Sequence, residues 1–156
     1  MIFASNGASL HICTTPQTSE PSEVEYQALT FIEVKEAEGI GSFGDTASEV
    51  TFTSLGDSRT RRLKGARDAG VLEVVLGADY ADAGQLALIA AEKTTHNYAF
   101  KVVFNDAPPG GTPSERYFIG MVAAVPEAID TADNVVKLNC SIWVNSAITR
   151  VSAAEA

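Results

Sequence analysis

The sequence predicts a mainly β domain, a β-sandwich or barrel of about seven strands with one flanking α-helix. Apolar side chains alternate with polar ones along most of the 156 residues, the period of two that half-buried strands show. Glycine, proline and acidic turns separate these runs, as expected between short strands. A single segment, residues 80–94, follows helical spacing instead.

The alternation places the strands in seven segments. In the clearest of them Tyr98, Phe100 and Val102 share one face. In the last segment Trp143 lies on the more polar face, which indicates a partner surface because Trp is enriched at interface hot spots. The predicted strands cover residues 8–14, 28–35, 48–55, 70–77, 96–104, 115–125 and 135–144.

The helical segment carries Leu86, Ile89 and Lys93 at helical spacing. Asp79 is the predicted N-cap, because an aspartate oxygen can accept a backbone N–H of the first turn. Gly84 should weaken the helix by about 1 kcal/mol relative to alanine.

The length suits a single domain over residues 1–156. Residues 15–27 and 36–47 are predicted to be long loops, and residues 152–156 a flexible tail. The run Gly39–Gly44 matches GxGxxG, but a strand pattern follows it. A dinucleotide site needs a helix at that point, so we expect a glycine-rich loop between strands.

Composition excludes several classes of protein. Hydrophobic residues make up 46% of the chain, too many for a disordered protein. The net charge of −9 argues against a tight grip on nucleic acid and against docking on anionic membranes. No apolar run is long enough to span a membrane, and no signal-peptide pattern is expected at the start.

Candidate chemical groups are few. Cys13 and Cys140 are predicted to be buried, reduced thiols. A zinc site that combines them with His11 and His96 is conceivable, but their spacing does not call for one. No GxSxG nucleophile motif occurs, and the paired aspartates lie at expected caps and turns. We therefore predict no enzyme activity, no cofactor and no metal site.

Charge is divided unevenly along the chain. Residues 59–67 hold five of the eleven basic residues and no acid, whereas residues 20–49 hold eight acids against Lys35 alone. The basic segment could be a solvated hairpin, an anion or nucleic-acid patch, or a partner for the acidic segment. Of the last two, protein–protein pairing is favoured because the overall negative field repels nucleic acid.

The segment 55–92 resembles the major tail tube proteins of lambda-like bacteriophages, whose long tails are non-contractile. The likeness lies in an ordered series: the basic segment up to Gly65, Asp68-Ala69-Gly70, a strand to Leu76, and Asp79–Leu86 opening the single helix. The strand around Tyr117–Val122 and a final strand ending near Ser146 are similar to the family's closing sheet. The resemblance covers residues 28–148.

The resemblance implies a structural virion protein. Six copies would form a ring, and rings would stack into a tube whose lumen conducts DNA without binding it specifically. It implies as partners further copies of the chain and the tail terminator, tape measure and tail tip proteins, but no membrane. It also implies a place in the phage tail, after assembly in the bacterial host cytoplasm.

Other assignments remain open on the sequence. The same fold forms the tubes of contractile tails, gene-transfer agents and type VI secretion systems. It also occurs in tail-completion proteins. A small-ligand-binding β-barrel is the alternative from a different class.

Stacked rings need two different, complementary patches on each subunit. We expect the basic and acidic segments to provide them, and the long loops 15–27 and 36–47 to add contacts. The predicted interface residues are Arg59, Arg61, Arg62, Lys64, Arg67, Glu33, Glu36, Glu38 and Asp45.

Overall fold

The structure is a computed structural model that describes residues 2–156. Over that range the chain forms eleven strands and two helices. In chain order they are β1 (Ser9–Gln17), α1 (Glu23–Ala28), β2 (Ile32–Val34), β3 (Ala37–Gly39), β4 (Thr46–Thr53), β5 (Thr60–Asp68), β6 (Val71–Gly77), α2 (Ala83–Glu92), β7 (Asn97–Val103), β8 (Glu115–Ala124), β9 (Glu127–Ala128), β10 (Lys137–Val144) and β11 (Thr149–Val151).

Nine strands form one antiparallel sheet, with the order β2-β1-β7-β8-β10-β6-β3 and with β11 and β9 attached to β8 and β10. The two end strands, β2 and β3, are separated in sequence only by Lys35 and Glu36. The sheet must therefore curl until its two edges meet, which removes the exposed edges that an open sheet would present. This arrangement confirms the predicted β-sandwich or barrel.

The interior is filled by one side-chain face of each of the strands β1, β2, β6, β7, β8 and β10. Phe100 and Phe118, opposite each other on β7 and β8, stack with ring centroids 5.4 Å apart. Leu138 and Ile142 from β10 are also fully buried. The alternation in the sequence found these strands because each has one face in this core.

Helix α2 joins β6 to β7 and holds together the seam where the sheet edges meet. The side chain of Gln85 is fully buried, and its Nε2 donates to the carbonyl oxygens of Lys35 (3.0 Å) and Gly77 (2.8 Å). Its Oε1 accepts from the Asp79 N–H (2.9 Å). One amide side chain thus connects the link between β2 and β3 to the end of β6.

The N-cap of α2 is Asp82, and the predicted cap at Asp79 is wrong. The Asp82 carboxylate accepts from the N–H groups of Gln85 and Lys35, both at 3.1 Å, so it caps the helix and braces the seam together. Asp79 lies a turn earlier, where its carboxylate accepts from the Ala81 N–H.

A second, smaller core lies on the outer face of β1, β7 and β8, beneath α1. This helix begins with a capping box, in which the Ser22 and Glu25 side chains bond to each other's backbone, a common start signal. Tyr26 is fully buried and stacks on Tyr117, with ring centroids 5.1 Å apart. The prediction of a loop over 15–27 is therefore wrong in part, because β1 runs to Gln17 and α1 starts at Glu23.

Two other irregular segments are more ordered than expected. Residues 36–47 include β3 and the start of β4. Within residues 152–156, Ala154 exchanges backbone hydrogen bonds with Thr112, at 2.8 and 3.1 Å, so the tail is tied to the loop before β8. The run Gly39–Gly44 begins at the last residue of β3, and the rest of it lies between β3 and β4, in the loop between strands that the sequence predicts. No helix within residues 2–156 is long and apolar enough to cross a membrane.

Candidate assembly interface

The basic segment lies in a β-hairpin that projects from the main sheet. Strands β4 and β5 pair only with each other and form a separate two-stranded sheet. No residue between 46 and 68 belongs to either buried core. At about 3.3 Å per residue, the nine residues of β5 span roughly 26 Å. We call this hairpin, residues 46–68, the arm.

One face of the arm carries uncovered apolar side chains beside Arg61. Val50 lies opposite Leu63, and Phe52 lies opposite Arg61. The exposed fractions of Val50, Phe52 and Leu63 are 47%, 59% and 63%, and Leu55 at the tip is fully exposed. Contiguous apolar surface of this kind is uncommon on a monomer and is typical of an interaction site.

Much of the arm's positive charge is neutralised within the same subunit, in part by Asp45 and Glu49 of the acidic segment 20–49. Arg61 pairs with Asp57, Arg62 with Glu49 at 2.6 Å, and Arg67 with Asp45 at 3.5 Å. Exposed pairs such as these contribute little stability, so a partner could displace them. Within residues 2–156, Arg59 and Lys64 have no carboxylate within 4.0 Å of their charged groups.

The predicted acidic partners do not gather around the arm of the same subunit, Asp45 excepted. Glu33 lies opposite His11 in the sheet. The Glu36 carbonyl accepts from the Gly77 N–H, at the end of β6 away from the arm. Glu38 pairs with Lys137 at 2.7 Å. Their role in an interface with another subunit stays a prediction.

Sequence reasoning missed an exposed apolar surface at the far end of β6. There the Ala78 N–H donates to the Val136 carbonyl (2.9 Å), which brings the segment after β6 beside the loop before β10. Exposed fractions are 49% for Tyr80 and 65% for both Ile129 and Val135. The signal was present in the sequence as apolar residues within the acidic turn 129–136, but their position beside Tyr80 depends on the tertiary fold.

Trp143 is half-exposed on the outer face of β10. It lies opposite Val71 of β6 on one side and Met121 of β8 on the other. Helix α1 covers the outer face only over β1, β7 and the first half of β8, so this part of the sheet stays open. Its use as a partner surface remains a prediction.

A cavity of about 650 Å³ lies between residues 3–8, the segment 37–43 and the end of β7. Phe3, Phe43 and Phe104 supply aromatic rings. The lining contains one ionisable side chain, Glu38, which already pairs with Lys137. Ser5, Asn6 and Asn105 add polar side chains to the lining, so the cavity offers both apolar contact and hydrogen-bonding groups.

The candidate chemical groups are dispersed. Within residues 2–156 no cluster of His, Cys, Asp and Glu is placed to hold a metal ion. Cys13 and Cys140 are buried free thiols, as predicted. Burial raises the pKa of Cys140 to about 12, with a smaller effect of Glu73. Burial, and then Lys101, lowers the pKa of His11, whose Nε2 lies 2.9 Å from the Ser9 Oγ.

No family model and no curated protein matches the sequence, but solved structures share the fold. A chain of the anti-feeding prophage baseplate aligns with a TM-score of 0.68 at 10% identity, over 97% of both chains. The sheath/tube terminator structure of an extracellular contractile injection system, PVC, aligns with a TM-score of 0.70 at 4% identity, over 97% of this chain and 98% of that one.

The SPP1 tail tube also shares the fold, with a TM-score of 0.61 at 13% identity over 93% of this chain and 76% of that one. At such identities the likeness concerns the fold. The tail tube fold implied by the resemblance is confirmed. The assignment to lambda-like phages stays a prediction.

Proposed function

We propose that this chain is a structural subunit that polymerises into a phage-type tail tube and has no enzyme activity. The observation that carries the proposal is the arm, a hairpin that has uncovered apolar side chains on one face and projects from a barrel sharing its fold with the SPP1 tail tube. Leaving Phe52 and Leu63 in water brings a monomer no stability, because full burial of such a side chain is worth about 1.5–3 kcal/mol and more than half of each side chain is exposed.

The finer parts of the proposal follow the family resemblance. Six copies form a ring, rings stack, and DNA passes through the lumen without specific binding. The tail terminator, tape measure and tail tip proteins are the other partners, and the protein resides in the virion after assembly in the host cytoplasm. The net charge of −9 suits a conduit for DNA, because a negative wall repels phosphate.

Arm residues form one side of the subunit contacts in this proposal. The predicted set is Arg59, Arg61, Arg62, Lys64 and Arg67. Arg61, Arg62 and Arg67 can exchange their local partners for acids of a neighbour, and Arg59 and Lys64 can pair with such acids directly. A contact between an arm and a different surface is heterologous, and heterologous contacts generate rings or open filaments.

Size-exclusion chromatography and negative-stain microscopy of the purified protein test the proposal. Wild type should form rings or tubes of uniform diameter. The double substitution F52S/L63S should abolish them and leave a folded monomer, because neither residue contributes to a buried core. Val24, exposed on α1, provides the matched control V24S, which should assemble as wild type does.

A small-ligand-binding barrel is the second candidate, favoured by the cavity of about 650 Å³. It predicts a monodisperse monomer at high concentration whose thermal stability rises with an apolar ligand. The ligand-binding alternative would be contradicted if delipidated wild type still forms tubes and F52S/L63S does not.

A further inference from the structure

The arm and the exposed surface around Tyr80 lie at opposite ends of the same strand. Strand β6 starts at Val71, directly after the arm, and ends at Gly77. Strand β10 runs antiparallel to it, with Trp143 opposite Val71 and Lys137 opposite Gly77. The loop before β10 therefore lies with the end of β6, about 20 Å from the base of the arm at 3.4 Å per residue.

We define the acidic end as residues 78–80 and 127–136 together with Glu36. Its apolar side chains are Tyr80, Ile129 and Val135, all about half or more exposed. Two cations lie nearby, Lys137, which is already paired with Glu38, and Lys35, which is exposed beside Glu36. The same segments carry five exposed carboxylates, namely Glu36, Asp79, Glu127, Asp130 and Asp133.

These two surfaces match in chemistry. The arm has apolar side chains and Arg61 on one face and Lys64 on the other, and within residues 2–156 neither Arg59 nor Lys64 is paired with a carboxylate. The acidic end presents apolar side chains with five carboxylates. Juxtaposed potentials of opposite sign steer association and set its register, whereas the apolar contact supplies the affinity. The base of the arm and the acidic end lie at opposite ends of β6, and within residues 2–156 no ion pair joins the arm to the acidic end of the same chain. The occupant argued here is therefore a second copy.

We propose that the arm of one copy binds the acidic end of a second copy. The inference rests on the proposed function and names the two surfaces that meet in it. Because the surfaces differ and lie at opposite ends of the barrel, each bound copy presents a free arm and a free acidic end. The contact can therefore repeat head to tail from copy to copy. It assigns the arm's acidic partners to residues 127 and 133 rather than to Glu33 or Asp45.

A charge exchange between two variants tests this pairing. In R59E/K64E the arm becomes acidic, and in E127K/D133K the acidic end becomes basic. Each variant alone brings like charges together, and we expect the concentration needed for assembly to rise more than about tenfold. Mixed in equal amounts, the variants can alternate the native contact with a charge-exchanged one. Assembly should then return to within about threefold of the wild-type concentration.

The control E20K/E155K reverses two exposed acids outside both surfaces and should assemble as wild type does. Circular dichroism of all variants checks that they are folded, which is expected because every altered side chain is exposed. Recovery in the mixture supports the pairing.

If wild type assembles but the mixture does not recover, or if E127K/D133K assembles normally, the pairing is wrong and the proposed tube function stands. A wild-type protein that stays monomeric at every concentration overturns both.

Discussion

Helix α2 lies directly against the backbone of β2 at Gly84. Because of this contact, helix propensity and packing predict opposite effects of an alanine at residue 84 on the free energy of unfolding. The variant is Gly84→Ala. Helix propensity alone predicts stabilisation by about 1 kcal/mol, because alanine replaces glycine inside a helix. Packing predicts the reverse. A Cβ on residue 84 would overlap the Glu33 carbonyl oxygen and lie 2.6 Å from the Val34 Cα, where real Cβ contacts are essentially never under 3.0 Å.

The magnitude follows from what must move. Both clashing atoms belong to the backbone of β2, so no side chain can rotate away. The helix has to shift, and Gln85 is the next residue, with hydrogen bonds of 2.8 and 3.0 Å to Gly77 and Lys35. Overpacking costs about 1–3 kcal/mol and a weakened buried hydrogen bond about 1 kcal/mol more. After the propensity gain, we expect Gly84→Ala to lower the free energy of unfolding by about 2 kcal/mol.

Urea unfolding of the monomer followed by circular dichroism measures this change, and the melting temperature should fall by about 4–8 °C. Gly39→Ala is the matched control, since no atom lies within 4 Å of its added Cβ. It should leave stability unchanged or raise it slightly. If Gly84→Ala is as stable as wild type or more so, the close contact between α2 and β2 is wrong.

Two further predictions concern the buried core. Gln85→Leu should reduce the free energy of unfolding by about 2–4 kcal/mol, because it leaves two carbonyls and the Asp79 N–H without their partner. A loss below about 1 kcal/mol in urea unfolding would contradict the role of Gln85 in joining the two edges of the sheet. The pKa of Cys140 is raised from 9.0 to about 12, so the folded state keeps its proton longer than the unfolded chain. The contribution of the protonated Cys140 thiol to the free energy of unfolding is complete below pH 9 and decreases by about 4 kcal/mol as the pH approaches 12. The free energy of unfolding of Cys140→Ala should therefore fall less steeply with pH over this range than that of wild type. Equal slopes for the two proteins would refute the burial of Cys140.

Alternation identified the strands that have one face in the core, such as β7 and β10, because burial imposes the period. It could not identify β5, whose charged residues are exposed on both faces and whose conformation depends on pairing with β4. Helix α1 was missed for a related reason. It has six residues and a single fully buried side chain, Tyr26, so no helical period can develop over that length.

For the candidate site, the basic segment could be predicted from the sequence, but the ion pairs of its arginines and the surface at the acidic end could not. Local pairing of Arg62 with Glu49 is a cross-strand effect that appears only when the hairpin register is known. The acidic end joins residues 50 positions apart in the chain, such as Tyr80 and Asp130, and no local pattern signals that meeting. Gly84 was read as a weak point of a helix, although the fold uses it for a backbone contact.

The topology makes the arm separable from the barrel, and this gives a last prediction. Strands β3 and β6 flank the arm in sequence and pair with each other in the sheet. At the base of the arm Thr46 lies opposite Asp68, so these two residues can be joined by the short turn Asn-Gly, which favours a tight hairpin.

Replacing residues 47–67 with that turn removes no side chain of either buried core, and shortening the connection changes the loop entropy by only about 1 kcal/mol. The shortened chain should therefore melt within a few degrees of wild type and stay monomeric at concentrations where wild type assembles. Calorimetry and light scattering measure the two properties independently. An unfolded product would show that the arm belongs to the folding unit, and a product that still polymerises would show that the subunits meet through other surfaces.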